Sequence, residues 1–483
     1  MNYFSLAAAL ILPWITGIFT LASLQRSNSK NNHSILAGQI GYGFFIGYLI
    51  LYGLIRLSFN LTGNLELKWV MGALVSLSLL ALLVIRYRRK GHFSYPTLTN
   101  TSNPSVWEKV AFTTLIILTA THLVFNLLET IWTPLLPWDA FSAWTHVAKV
   151  WFYTGELTDF VPAAQWLAQP DSPAYTSHAY NYPIFSSLMQ LWTAVGLGSW
   201  SETLINLPQL LCGLAIGMAL FSECRQQGAS RLISLSVCYL FLSIPLINTH
   251  LSLGGYADIW LAGFTGLGFV KLITGLKEQQ PIAITGGLLL IATATLIKNE
   301  GLIWFLLALL TTAIFQLSSR QLLTTLALTS AAILACLLLE TTSLELGTLG
   351  RVGYFEGKIF APNMPGLTFQ YHNVWPAYFK NFFLMGSWNL LWLLVFTSLV
   401  TALIPPYTPT KKLVTTFVLI FLAGQFFIFF LTDQARWAEK YTALNRLPLH
   451  FSPALIYACF LLWHDQLKLK TEKQATSNEL HNS

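Results

Sequence analysis

The chain has 483 residues, of which 54% are apolar and only 10% charged, with a net charge of +7 and a mean hydropathy of +0.57. About a quarter of the residues of a soluble domain are charged, so an ordinary soluble protein is excluded and a polytopic membrane protein remains. The positive excess does not make a nucleic-acid surface, because Lys and Arg fall in short loops between apolar runs, as the positive-inside rule expects.

A spanning helix needs roughly 20 mostly apolar residues. The first such run, about Tyr3 to Leu24, has no basic stretch ahead of it, and its first positive charges, Arg26 and Lys30, follow it. It is read as a retained span with its N-terminus outside, not a cleaved signal. Spans at about Ile35 to Phe59 and Trp69 to Ile85 follow, the latter ending in Arg86, Arg88, Arg89 and Lys90. A polar linker to about Pro104 precedes a fourth span, about Val110 to Ile131, which delivers the chain to the outer side. All five cysteines lie in predicted spans or beside a cytoplasmic loop, so no disulfide framework is implied.

Pro134 and Pro137 end the fourth span and open a connection of nearly fifty residues that carries Asp139. Phe141, Trp144, Ala148 and Trp151 recur at helical spacing, which predicts a helix lying in the membrane interface with three rings on one face. The next apolar run, Tyr182 to Leu197, is short and begins at Pro183. Counting it as a span would put Arg225 and Arg231 outside, so it is read as a second interfacial or re-entrant helix. Further spans are then expected at about Glu202 to Phe221, Leu232 to Asn248, Ile259 to Leu276, Ile282 to Ile297, Leu302 to Phe315, Leu322 to Leu339, Phe382 to Leu403, Val414 to Leu431 and Phe451 to Trp463. The expected fold is an all-α polytopic bundle of about thirteen transmembrane helices with interfacial helices in its first large external loop. It divides into N-terminal helices 1–128, an external loop 129–201, a transmembrane core 202–464 with a second external loop 340–381, and a polar, disordered cytoplasmic tail 465–483.

This topology collects a mixed set of polar groups on the outer side: Asp139, Lys149, Tyr182, Asp258, Lys298, Glu300, Arg351, His372, Arg436 and Arg446. Ionisable groups at membrane depth cost several kcal/mol unless paired or solvated, so the cluster implies a water-filled cavity or a ligand. Carboxylates suit proton transfer, and several cations suit an anion such as phosphate. Structural roles stay open beside these. Asp139 and Asp258 are good N-cap residues, Lys298 and Glu300 can pair with each other, each cation can anchor at the interface, and His372 fits an ordinary loop position. No spacing matches a structural zinc site.

Trp138-Asp139-Ala140 with Trp144 and Ala148-Lys149, then Tyr182-Pro183, Gly255-Tyr256-Ala257-Asp258, Lys298-Asn299-Glu300-Gly301 and Leu444-Asn445-Arg446, form an ordered set between about Leu127 and Ala458. It resembles the GT-C superfamily of polyprenyl-phosphate-sugar-dependent glycosyltransferases, nearest the bacterial relatives of protein O-mannosyltransferases and of the lipid A aminoarabinose transferase. The resemblance implies a GT-C type bundle in the cytoplasmic membrane with its active site on the periplasmic or extracellular face. Asp139 would be the base and Asp258 a second catalytic acid, with Lys149, Tyr182, Lys298, Glu300, Arg351, His372, Arg436 and Arg446 binding substrate. The implied partners are a polyprenyl-phosphate-linked sugar, a glycan, lipid or protein acceptor, and the bilayer, with no nucleic acid. No cofactor is certain. A divalent metal stays open, because many members carry paired acids where Tyr256-Ala257-Asp258 has one. A lipopolysaccharide-type polymer ligase using Arg351, His372 and Arg436, or a lipid-linked sugar transporter or flippase, is the alternative.

A cysteine placed at Ser199 in a Cys-free background is expected to react with an external membrane-impermeant thiol reagent. Reaction only from the inner side would make Tyr182 to Leu197 a span.

Overall fold

The computed structural model describes residues 2–24, 32–88, 105–338, 341–345, 351–360 and 366–482. Arg26, Lys30, Arg89, Lys90 and the polar linker to Pro104 lie outside these residues. The chain forms two compact units, Met1–Leu267 and Gly268–Ser483. Among the described residues seven helices are long and apolar enough to cross a membrane, or nine when each of two sharply bent helix pairs is taken as one span. The chain is a helical, multi-pass membrane protein.

The first unit contains α1 (Tyr3–Leu24), α2 (Asn32–Thr62), α3 (Leu67–Arg88), α4 (Val106–Trp132), α5 (Thr145–Thr154), α6 (Ala163–Ala168), α7 (Phe185–Leu197), α8 (Leu207–Gln226), α9 (Arg231–Leu242), α10 (Pro245–Ser252) and α11 (Asp258–Leu261). A parallel pair of two-residue strands, β1 (Phe160–Val161) and β2 (Tyr175–Thr176), ties the connection between α5 and α7 together. Close helix approach builds the core. A Cβ on Gly17 would overlap the backbone of Gly43 and Gly47, and one on Gly47 would overlap the Pro13 carbonyl. Gly43 and Gly47 form a G-x-x-x-G pair, which lets two membrane helices cross backbone to backbone. On a neighbouring face of α2, a Cβ on Gly41 would meet the Ala219 nitrogen of α8 at 2.5 Å. Polar ties follow: Thr16 Oγ1 lies 2.9 Å from Ser78 Oγ of α3, and Trp14 Nε1 donates to the Ile40 carbonyl at 2.7 Å.

These contacts set helix directions. Tyr48 donates to the Leu10 carbonyl and Arg88 to that of Ser23, so α2 runs antiparallel to α1 and α3 parallel to it. Thr130 Oγ1 donates to the Leu251 carbonyl and Gly213 of α8 faces Leu251. One end of the unit therefore holds the start of α1, the end of α4, the start of α8 and the end of α10. Arg86, Arg88, Lys109, Arg225 and Arg231 stand at the opposite end.

The expected interfacial helices differ from expectation. Residues 140–144 form a π-helical turn before α5, and Trp144 and Trp151 are buried where α5 packs on α7. Trp144 and Trp151 thus cover protein, whereas Trp138, Phe141 and Tyr153 stay exposed. Helix α7 has thirteen residues, twelve of them buried. At 1.5 Å per residue it reaches about 20 Å, short of the roughly 30 Å hydrocarbon core. It lies along the first turns of α1, where Trp192 Nε1 donates to the Ala9 carbonyl at 2.8 Å and the Leu197 carbonyl accepts from the Asn2 backbone N–H at 2.9 Å. The N-terminal helices are thus the wall that holds α7. The run expected as one span from Leu232 is the bent pair α9 and α10, turned by 67° where Ile244 is extended ahead of Pro245, as a residue before proline prefers.

The second unit contains α12 (Leu267–Glu278), which begins at the boundary, α13 (Pro281–Thr293), α14 (Glu300–Gln316), α15 (Ser319–Leu338), α16 (Trp375–Phe379), α17 (Leu391–Ala402), α18 (Pro409–Phe430), α19 (Ala435–Glu439), α20 (Ala443–Leu449) and α21 (Ser452–Asn482). The described residues between α15 and α16 are not helical. Strands β3 (Thr341–Glu345), β4 (Arg351–Phe355), β5 (Lys358–Phe360) and β6 (Leu367–Thr368) pair antiparallel in sequence order, a sheet that the all-α expectation missed. Val352, Tyr354 and Phe355 in β4 and Ile359 and Phe360 in β5 favour it. Phe451 at the start of α21 stacks on Phe269 of α12 at 5.1 Å, and Tyr457 Oη lies 2.8 Å from Thr274 Oγ1. Helix α21 continues through the tail expected to be disordered, as the Leu, Lys, Glu, Gln and Ala of residues 467–480 allow.

Gly47→Ala is expected to lower the thermal unfolding midpoint in detergent by several degrees, since neither partner of the α1–α2 crossing can retreat. Gly72→Ala, where an added Cβ meets nothing within 4 Å, should be neutral or stabilising by about 0.5–1 kcal/mol. Equal effects at the two sites would refute the close-crossing account.

Candidate functional site

In the first unit the two acid-bearing loops, more than a hundred residues apart in sequence, meet. A Cβ on Gly255 would lie 2.5 Å from Ala140 Cβ and 2.9 Å from Thr145 Oγ1, and Gly255 has φ +93°, so only glycine suits this turn. Asp139 immediately precedes that contact and Asp258 follows it by three residues. Asp139 is partly exposed, has helical backbone angles and makes no side-chain cap hydrogen bond, so its carboxylate does not serve as an N-cap. Asp258 is fully buried in the first turn of α11, where a negative charge is favoured by the helix dipole.

A chain of buried amides holds the two loops. Gln209 Oε1 accepts from the Gly255 backbone N–H at 3.1 Å while its Nε2 donates to the Tyr256 carbonyl at 2.8 Å, a two-pronged bracket on the hairpin. Gln190 of α7 donates to Thr145 Oγ1 at 3.1 Å and to Asn206 Oδ1 at 3.0 Å. Asn206 in turn donates to the Glu202 carbonyl at 2.8 Å. Sequence reasoning missed Gln190, Asn206 and Gln209. The signal was there, since polar amides inside apolar runs are expensive and tend to be functional or paired.

Lys149 does not point to an anion site of its own: it pairs with Glu202 at 2.9 Å, both side chains about half exposed, and its ammonium sits 5.9 Å from the Trp200 ring. Tyr182 packs edge-on against Trp144 at 5.3 Å, beneath the turn that carries Asp139.

In the second unit Lys298 and Glu300 pair at 3.2 Å with side chains 5% and 19% exposed, and Glu300 Oε2 is buried with no hydrogen-bond partner among the described residues. The turn is tight, since a Cβ on Gly301 would overlap Ala294. One turn along α14, Trp304 Nε1 donates to His450 Nδ1 at 3.2 Å. An indole N–H only donates, so this imidazole carries its proton on Nε2. His450 lies one turn beyond Arg446, which brings the Lys298–Glu300 turn and the Asn445-Arg446 motif to the same end of the unit. Asn445 accepts from Asn381 Nδ2, tying the motif to the π-helical turn Lys380–Leu384. His372 is held where its backbone N–H donates to the Phe430 carbonyl at 2.8 Å, and its neighbour Gln370 donates to that of Leu431. Arg436 is exposed and stacks over Trp437 at 5.1 Å, the posture of an interfacial anchor. The Arg351 guanidinium lies 4.4 Å from the Phe355 ring and 5.8 Å from that of Phe360, held by the sheet. Lys277, Arg320, Lys411, Lys412, Lys468 and Lys470 stand at the opposite end of this unit.

Among the described residues no group of three His, Cys, Asp or Glu is placed to hold a metal ion. No family model, no curated protein and no solved structure matches the chain.

Replacing Gln209 by Leu removes its hydrogen bonds to the Gly255 N–H and the Tyr256 carbonyl, and losing the partner of a buried polar group costs about 1–3 kcal/mol. Hydrogen exchange at Gly255 should accelerate and the unfolding midpoint fall. Unchanged exchange would show that Gln209 does not hold the hairpin.

Proposed function

We propose that the protein is a membrane glycosyltransferase of GT-C type, with about thirteen spans, that moves a sugar from a polyprenyl-phosphate donor to an acceptor hydroxyl on the outer face of the cytoplasmic membrane. The observation that carries the reading is the interlock of the Asp139 and Asp258 loops at one end of an apolar helical unit, over a buried amide network. Charge supports the orientation. Each unit, taken by itself, has one basic end and one end of mixed or acidic character, and the positive-inside rule assigns the basic ends to the cytoplasm.

A phosphate-linked sugar already carries a good leaving group, so the protein must align an acceptor and remove its proton. The Asp139 carboxylate takes the hydroxyl proton. The acceptor oxygen attacks the anomeric carbon from the side opposite the phosphate, and the anomeric C–O bond breaks with its electron pair passing to the lipid phosphate. The product is inverted. Asp258, buried, orders its loop beside the base. Lys298, Arg351, Arg436 and Arg446 are the candidate cations for the phosphate charge, Arg446 foremost because it lies just ahead of the last span, and the indole-bound His450 one turn along fixes the face of α20 on which it stands.

Two bent spans favour a second reading, a lipid-linked sugar transporter, because transporters build their sites on broken helices. Those sites lie near the bilayer midplane. Here the terminal pieces α10 and α20 have eight and seven residues, which puts each break within about 12 Å of the mixed-charge end of its unit. The transferase reading accounts for that depth.

Asp139→Asn in proteoliposomes should leave binding of a polyprenyl-phosphate sugar intact while turnover falls by roughly 10²–10⁴-fold, the usual contribution of a general base. Near-normal turnover would sink the base assignment. Transbilayer movement without transfer would establish the transporter.

A further inference from the structure

The second unit buries several polar groups that the phosphate chemistry does not use. Gln425 lies inside the apolar helix α18 and is 2% exposed, yet neither Nε2 nor Oε1 of its amide has a hydrogen-bond partner among the described residues. The same holds for the indole nitrogens of Trp388 and Trp392 and for Asn381 Oδ1, all fully buried. Each such group costs about 1–3 kcal/mol when it is left unmade, and native structures rarely keep four near one another without a reason.

They lie along one seam. The Trp392 ring stacks on Phe382 at 4.0 Å and 4°, and Trp388 meets Trp392 edge-on at 5.7 Å. Phe382 meets Tyr378 at 5.0 Å, and Tyr378 Oη donates to the Gln425 carbonyl at 3.4 Å. Asn381 precedes Phe382 and bonds Asn445 of the Leu444-Asn445-Arg446 motif. The seam runs through the π-helical turn Lys380–Leu384, and such turns recur at functional sites. The turn is followed by the segment 385–390, which carries the buried Trp388 between two left-handed residues, Gly386 at φ +72° and Asn389 at φ +49°.

The unused groups define what would satisfy them. The two indoles and Gln425 Nε2 require acceptors, whereas Gln425 Oε1 and Asn381 Oδ1 require donors. A hydroxyl supplies both, and aromatic faces suit the C–H face of a pyranose. All five of these atoms belong to uncharged side chains, so what they select at this point is a neutral hydrogen-bonding group. We propose that this seam binds the sugar ring of the lipid-linked substrate, admitted by displacement of the segment 385–390. The proposal rests on the reading above for the identity of the substrate, whereas its chemistry requires only a neutral polyhydroxylated ring.

The test labels the full chain with 5-fluorotryptophan in nanodiscs and follows its ¹⁹F resonances, with Trp388→Phe and Trp392→Phe assigning the two indoles by loss of one signal each. Methyl glycosides of mannose, N-acetylglucosamine and arabinose are titrated in. At least one is expected to shift both resonances saturably. Gln425→Leu should weaken that binding by about tenfold or more, the scale of a lost buried hydrogen bond, while leaving the thermal midpoint equal or higher, because an unpartnered amide has been replaced by an apolar group. Trp392→Phe keeps the stack on Phe382 and should weaken binding in the same way. No shift with any glycoside, the behaviour of a water-filled chamber only, would overturn the proposal, as would unaltered binding in both variants. The Asp139→Asn protein separates the two readings. Loss of turnover there with no glycoside shift in any protein removes the seam and keeps the transferase, whereas glycoside binding with normal turnover keeps the seam and removes the base.

Discussion

The first unit depends on the crossing of α1 and α2 at Gly17, Gly43 and Gly47. Lipid tails are as apolar as Leu, so helices in a bilayer are not driven together by the hydrophobic effect. Backbone contact and polar ties do that work. With α2 seated on α1, its Gly41 face receives α8, and the first turns of α1 offer the groove in which α7 lies. Helix α7 then carries Gln190 to Thr145 and Asn206, and through them the turn that follows Asp139. The position of a partly exposed carboxylate is thus traceable, contact by contact, to three residues that have no side chain.

The same economy of polar groups runs through both units. Helix α4 is largely exposed and is tied to its neighbours by Asn126 Nδ2 donating to Asn248 Oδ1 at 2.7 Å and by Thr130 at Leu251. In the second unit the polar elements crowd one end: the Lys298–Glu300 turn, the indole-bound His450, the sheet, and the Asn381–Asn445 pair. Buried polarity inside an apolar body has to be paired within the body or by what it binds. Most of these groups are paired within it. Glu300 Oε2 and the Gln425 seam are among those that are not, and the seam gathers several of them, which is why it carries a ligand hypothesis and the Lys149–Glu202 pair does not.

The membrane class was legible from hydropathy alone, and so was the shortness of the Tyr182 to Leu197 run, which forms a helix of thirteen residues. Asp139 and Asp258 were singled out because charge in an apolar, aromatic setting is costly. What was not legible was contact. The Phe141, Trp144 and Trp151 stripe has the period of an interfacial helix, and nothing in the period distinguishes lipid from α7 as the surface it covers. Gln190, Asn206 and Gln209 read as isolated amides, because the partners that make them a network are drawn from four separate segments. The sheet at residues 341–368 lies in a stretch read only as an external loop, although its β-branched and aromatic residues favour strands. The bend at Ile244 was written in Pro245, and the bend between α20 and α21 in Pro448 and Pro453, which flank it.

Gln209 grips the hairpin through an amide whose two ends have opposite polarity, one accepting from Gly255 and one donating to Tyr256. Such a grip reads direction as well as position. Sliding the hairpin by one residue would set a carbonyl against an oxygen and an N–H against an NH₂, so the misaligned state is repelled and not merely less stable. The phase of the loop, and with it the angle at which the chain enters α11 behind Asp258, is encoded in the order of donor and acceptor on one side chain.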